Sequence, residues 1–146
     1  MNKRFASGKY DIKNPEKYVG KHAPTYRSGW EFSFCKFCDE HTSVVKWASE
    51  AIKIPYKNPI TGRNTIYIPD FFVAYVDKTG KQHAELVEVK PTNQTLKEKT
   101  GKSKHNQLHW IINQAKWQAA NAYCKKQGIK FRIITEQDIY HQGKKR

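Results

Sequence analysis

Acidic residues are scarce in this chain: 13 Asp and Glu stand against 27 Lys and Arg, giving a formal net charge of +14 over 146 residues. A basic surplus of that size points to a polyanionic partner, nucleic acid before anything else. No apolar run approaches the roughly 20 residues needed to span a bilayer, so no membrane partner is expected. The start, Met1-Asn2-Lys3-Arg4-Phe5, lacks the apolar stretch of a secretory signal, and from this a chain made and kept in a cytoplasm is expected. Cysteine is nearly missing too. Cys35, Cys38 and Cys124 cannot all pair with one another, so reduced thiols are expected in place of a disulfide framework. No Gly-rich phosphate loop of the P-loop kind and no nucleophilic Ser or Cys arrangement occurs, which leaves ATP hydrolysis without a signal.

What is present suffices for one packed α/β domain. Apolar residues make up 38% of the chain and aromatics 13%, spread along most of its length, and 146 residues close one core rather than two. Residues 1–26 scatter Gly8, Pro15, Gly20 and Pro24 among charges and tyrosines without a period, and read as an extended basic N-terminal arm that wraps the domain or a partner. From Ser28 the pattern is helical: Ser28 caps, Glu31 follows at the third position, and Trp30, Phe34 and Phe37 hold core spacing to about Asp39. Residues 44–47 and 52–54 read as strand pieces. A longer strand is expected over 64–76, a turn at 77–80, and a returning strand over 83–90 that Pro91 ends. Leu108, Ile111, Ile112, Ala115, Ala119, Ala122 and Tyr123 recur at three- and four-residue steps and predict a long amphipathic helix stopped at Gly128. Residues 130–134 read as a buried strand, and 135–138 as the start of a short terminal helix before a basic tail at 141–146. The order is α-β-β-β-α-β: a mixed sheet flanked by helices, in a domain spanning 27–140.

The hairpin carries the chemistry. With the turn centred on Thr79, Phe71 faces Val87 and Ala74 faces Ala84, so apolar positions coincide on both faces, and Asp70 then faces Glu88. Glu88 and Lys90 are two apart on a strand, roughly 6.5 Å along the rise and on one face with Asp70. Opposed carboxylates repel by roughly a few tenths to 1 kcal/mol in water, and by more when buried, unless a cation lies between them. Oxygen ligands on a rigid strand pair suit Mg²⁺ or Mn²⁺, with Asp70, Glu88 and the backbone carbonyl of Val89 as candidate ligands. A metal there would polarise a phosphate and acidify a water, with Lys90 orienting that water and balancing charge on phosphorus. An Asp, Glu and Lys triplet also arises by accident on solvated strands. Here the strands are apolar on both faces and the whole chain is basic, which favours a site.

Pro69-Asp70, seventeen intervening residues and Glu88-Val89-Lys90 resemble the PD-(D/E)xK nuclease superfamily, and the element order is similar to its restriction-endonuclease-like core. In that superfamily an acidic residue on the first helix often completes the site. Glu31 stands at the matching position, so the resemblance implies a catalytic and metal-binding duty for it beside its capping role. Many members also carry Gln or Lys on the helix after the ExK strand, which makes Gln114 and Lys116 accessory candidates. More closely, Tyr26-Arg27-Ser28-Gly29-Trp30-Glu31, Cys38-Asp39-Glu40-His41, Ser43-Val44-Val45-Lys46-Trp47-Ala48-Ser49-Glu50, Ile54-Pro55-Tyr56 and Asn113-Gln114-Ala115-Lys116-Trp117 resemble the head completion nucleases of T-even-like bacteriophages, over residues 18–140. That resemblance implies a DNase, cleaving or trimming double-stranded DNA as an endonuclease or exonuclease, late in head maturation and around head-tail joining. It implies work in the host cytoplasm, with phage portal or neck proteins as partners and the virion as a further location. A non-catalytic DNA-end-binding neck protein and a repair or transposase-type endonuclease are the competing readings. Oligomeric state stays open, since a lone site nicks one strand and coordinated double-strand cleavage takes a symmetric dimer or sequential nicks.

Other groupings weigh less. Lys97, Lys99, Lys102, Lys104 and His105 cluster after the hairpin and read as DNA contacts or as a solvated loop. Cys35, Cys38 and His41 have a spacing that zinc could use, but the cysteines sit among Phe34 and Phe37 and read better as small core residues.

Overall fold

Apolar side chains on both faces decide the centre of the molecule: along residues 71–73 and 85–89 the paired strands are buried or half-buried on either side of the sheet. The computed structural model describes residues 7–90, 103–135 and 138. Its elements are β1 (Gly8–Lys9), a 3-10 turn (Pro15–Lys17), β2 (Thr25–Tyr26), α1 (Gly29–Glu40), β3 (Val44–Ser49), β4 (Ile54–Lys57), β5 (Asn64–Tyr67), β6 (Phe71–Val76), β7 (Gln82–Val89), α2 (Lys104–Gln127) and β8 (Lys130–Ile134). The main sheet runs β3-β6-β7-β8, with β8 parallel to β7 and the other pairs antiparallel. Its core order, α1-β3-β6-β7-α2-β8, is the expected α-β-β-β-α-β mixed sheet with helices.

Each face of the sheet has its own core. On one side Phe34, Cys35 and Cys38 of α1 pack with Trp47, Phe71, Val73, Val87, Val89 and Ile134. On the other, Trp117, Ala120 and Cys124 of α2 pack with Ile54, Tyr67 and Leu86. The three thiols are therefore buried and split between two cores, Cys124 apart from the α1 pair. Ser28 caps α1 by accepting the Glu31 amide at 3.1 Å. Ser103 caps α2, which ends at Gly128 in the left-handed conformation (φ 72°), where a side chain would be strained.

One expectation needs correction. Residues 64–76 form two strands in two sheets: β5 pairs with β4, and β6 pairs with β3 and β7. Pro69 is the cause. It has no N–H to give a ladder and biases Ile68 to an extended backbone, so the chain leaves one sheet at Tyr67 and enters the other at Phe71. The strand pieces at 44–47 and 52–54 become 44–49 and 54–57. The expected terminal helix lies mostly outside the described residues.

Residues 7–26 lie against α1 and β3, and Asp39 organises them. Its carboxylate, fully buried, accepts the Tyr10 hydroxyl at 2.9 Å and the amides of Lys13 and Asn14 at 2.8 and 2.9 Å. Burial alone would raise this carboxyl, but the hydrogen bonds outweigh it and hold the group below the usual aspartate range. Tyr18 packs edge-on to Trp47 at 4.8 Å, and Val19 N–H donates to the Trp47 carbonyl at 2.9 Å. Replacing Asp39 by Ala strands three donors, and should lower unfolding free energy by about 3 kcal/mol, read by urea denaturation at pH 7. The loss should shrink as the pH falls through the lowered aspartate pKa, because only the ionised carboxylate contributes.

Candidate active site

The carboxylates meet where β6 begins. The β6–β7 register runs from Phe71↔Val87 through Val76↔Gln82, as read from the sequence, and continuing it by one residue sets Asp70 beside Glu88. Opposite Val89 the chain has already left the sheet at Pro69, so the Val89 amide has no main-chain partner from β6. Asp70 fills that role, its Oδ2 accepting Val89 N–H at 2.8 Å. Lys90 N–H instead donates to the Ile134 carbonyl at 2.9 Å, which pins the end of β7 to β8.

Glu88 and Lys90 lie on the α2 face, and Lys90 Nζ stands 3.5 Å from Glu88 Oε2. The other carboxylate oxygen of Glu88 accepts the Tyr67 hydroxyl at 2.6 Å, both groups being buried. Lys116 from α2 hangs over the Tyr67 ring, 5.7 Å from its centroid. From the other side of the sheet α1 brings Glu31, buried, whose Oε1 accepts the Arg27 amide at 3.1 Å. Glu31 therefore bonds the residue before the cap, while Ser28 accepts the Glu31 amide, and the Glu31 charge is felt at Asp70.

Electrostatics show the conflict among these groups. Burial, then Glu88 and Glu31, push the Asp70 carboxyl well above its ordinary value, against the Val89 amide and Lys90. Burial also raises Glu88. It raises Glu31 to about 7, with the charges of Glu88 and Glu50 adding to the effect. Lys116 shifts the opposite way, lowered first by burial and then by the Lys90 charge. Acids shifted upward by burial and by one another's charge are an environment that a bound cation would stabilise. Among the described residues no three His, Cys, Asp or Glu side chains converge closely enough to enclose a metal on their own. That is compatible with Mg²⁺ or Mn²⁺ chemistry, in which one or two carboxylates share the ion with waters and substrate phosphate oxygens.

A comparison with known proteins bears on this geometry. Residues 41–136 match the family described as "TnsA-like endonuclease N terminal". The chain belongs to the TnsA-like endonucleases. It is a nuclease of restriction-endonuclease-like fold. The chain is also 34% identical over 147 residues to the head completion nuclease of Enterobacteria phage T4, covering 94% of this chain and 95% of that one.

Of the residues singled out from the TnsA-like endonuclease sequence, the structure brings together Asp70, Glu88 and Lys90, with Lys116 over the Tyr67 ring beside them and Glu31 within reach of Asp70 by charge. Gln114 is half-buried on α2 with no hydrogen bond to the carboxylates. Lys104 and His105 open α2 on its exposed side, with His105 4.7 Å from the His109 ring. Lys97, Lys99 and Lys102 lie outside the described residues.

Sequence reasoning missed two members. In one continuous strand Tyr67 would face away from Asp70; the break at Pro69 turns it onto the Glu88 side. Glu50 takes a left-handed backbone (φ 48°), its amide donating to the Asp70 carbonyl at 2.9 Å and its carboxylate bound by Arg27 at 2.9 and 3.2 Å. Nothing in the order Ser49-Glu50-Ala51 signals that conformation.

A raised carboxyl pKa means the folded state holds its proton longer than the unfolded state. The metal-free protein should therefore lose stability as pH rises from the ordinary glutamate range to about 7, where Glu31 ionises. Glu31→Gln should flatten that decline, measured by urea denaturation in EDTA at pH 5 and pH 7.5. An equal decline in both proteins would place the strain elsewhere.

Proposed function

We propose that this chain is a divalent-metal-dependent DNA endonuclease whose reaction is carried by Asp70, Glu88 and Lys90, with Glu31 completing the acidic set. The observation that carries the reading is that Asp70 and Glu88 stand beside Lys90 at the end of β7, with Lys90 Nζ 3.5 Å from Glu88, the Asp70 carboxylate on the Val89 amide, and Glu31 near enough for its charge to push Asp70 up. Mg²⁺ or Mn²⁺ would be held by Asp70 and Glu88, with Glu31 adding charge. The Val89 carbonyl is a further ligand, because the N–H and C=O of one strand residue point to the same edge and the Val89 N–H already points to Asp70. Such an ion supplies Lewis-acid polarisation of the phosphate and acidification of water. The chain's own residues do the rest. Lys90, a quarter exposed, presents its ammonium to the solvent side of the carboxylates, where it orients the attacking water and balances charge growing on phosphorus. Lys116 places a second cation behind Glu88, and Tyr67 fixes which Glu88 oxygen faces outward. Gln114 has no role in this arrangement. DNA is gripped in addition by Lys97, Lys99, Lys102, Lys104 and His105.

Near end-to-end similarity to a head completion nuclease supports the same setting for this chain. It would cleave or trim DNA, by endonuclease or exonuclease action, as phage heads are completed in the host cytoplasm, with portal or neck proteins as neighbours and the finished virion as a further location. The domain proper then spans 27–140, with a basic tail at 141–146. The TnsA-like match, over residues 41–136, keeps a transposase-type endonuclease as the second reading.

Asp70→Ala and Lys90→Ala should each abolish Mg²⁺- or Mn²⁺-dependent nicking of supercoiled plasmid while leaving the protein folded and DNA-bound. Undiminished cleavage by either variant in a clean preparation sinks the site assignment. Absence of cleavage by the parent with both metals favours a non-catalytic DNA-end-binding protein.

A further inference from the structure

The ribbon formed by β4 and β5 has no place in the main sheet and calls for its own explanation. Its root is core: Ile54 and Tyr67 are cross-strand partners, both buried against α2. Everything beyond the root is outside, since residues 59–66 are all exposed. The tip is nonetheless built. Asn58 Oδ1 accepts the amides of Ile60 and Thr61 at 2.8 and 3.2 Å, Asn58 N–H donates to the Arg63 carbonyl at 2.9 Å, and Gly62 supplies a left-handed turn (φ 72°).

Its surface is cationic and apolar without an acid. Residues 53–69 hold Lys53, Lys57 and Arg63 and no Asp or Glu. Those three cations are exposed and form no ion pair among the described residues. By strand alternation Lys53, Lys57, Ile66 and Ile68 share the outward face, where Ile66 is 54% and Ile68 40% exposed, and Ile60 at the tip is 45% exposed. An apolar face alone would suit many partners. Three unpaired cations with no counter-charge select a polyanion, and position selects which one: Tyr67 at the root bonds Glu88, and Asp70 follows three residues later.

We propose that the β4–β5 ribbon is a docking arm for double-stranded DNA, gripping the duplex beside the bond that the carboxylate site cuts. This rests on the nuclease reading above and adds a DNA surface apart from the lysines after the hairpin. From Tyr67 to Asn64 the strand rises about 10 Å, so the tip lies on the order of half a helical turn of DNA (~17 Å) from the cut. A two-stranded ribbon fits the major groove, with lysines on phosphates and isoleucines against sugars and thymine methyls.

The test compares two charge-matched triple variants of the full chain, Lys53→Ala/Lys57→Ala/Arg63→Ala in the ribbon and Lys9→Ala/Lys36→Ala/Lys78→Ala elsewhere on the exposed surface. Binding of a fluorescein-labelled 30-base-pair duplex is followed by anisotropy from low to physiological salt, without divalent metal, with circular dichroism as the fold control. The ribbon variant should bind about tenfold or more weakly at physiological salt, and its plot of log affinity against log salt should be shallower by about 2 to 3, one counterion-release increment per lost phosphate contact. The second variant should stay near the parent on both counts. Equal losses in the two variants, or no loss in the ribbon variant, overturn the proposal. A parent that binds DNA but never cuts it counts against the nuclease reading alone, since this readout needs no cleavage.

Discussion

Where β6 begins, the Val89 amide is satisfied by the side chain of Asp70 instead of by a neighbouring strand. Pro69 makes this necessary: without an N–H it cannot extend the ladder, and the chain turns out of the sheet one residue before the pairing with Glu88 would begin. Filling the gap with a carboxylate fixes Asp70 in position and direction, and sets a negative charge next to Glu88 at a place from which water is largely excluded. Lys90, on the same strand edge, offsets part of the repulsion, but Asp70 and Glu88 stay shifted upward all the same.

Much of the surrounding structure holds this arrangement in place. On the α2 side Tyr67 clamps Glu88 and Lys116 sits over the Tyr67 ring. On the α1 side Glu31 enters from a helix whose far end is tied down by Asp39 and the segment around Tyr10. Between them Glu50 adopts a left-handed backbone to deliver its amide to Asp70. A non-glycine residue in that region costs about 1 kcal/mol or more, and its presence beside the carboxylates fits the tendency of strain to gather where geometry matters for chemistry.

The hairpin was legible because its apolar pairs fix the register; a slip of one residue would have set Phe71 and Val87 out of step. Glu31 was legible through Ser28, whose cap also fixes the helix start. Tyr67 was not, because its face depends on a chain break that periodicity does not reveal: residues 64–67 and 71–76 read as one strand when Pro69 is treated as a dent and not as an exit. The packing of residues 7–26 was equally hidden, since it depends on a single buried carboxylate, Asp39, reaching Lys13 and Asn14 through main-chain amides that any sequence would carry.

The central claim is that Asp70 and Glu88, with the charge of Glu31 near them, form a divalent-cation site. It is tested most directly by titrating the metal-free protein with Mn²⁺ at pH 7.5 and following the unfolding temperature, with Asp70→Asn alongside. A saturable rise in the parent, reversed by EDTA and lost in the variant, is the predicted result, because a ligand that binds only the folded state stabilises it by mass action. An unfolding temperature indifferent to Mn²⁺ and Mg²⁺, or the same rise in Asp70→Asn, would contradict it.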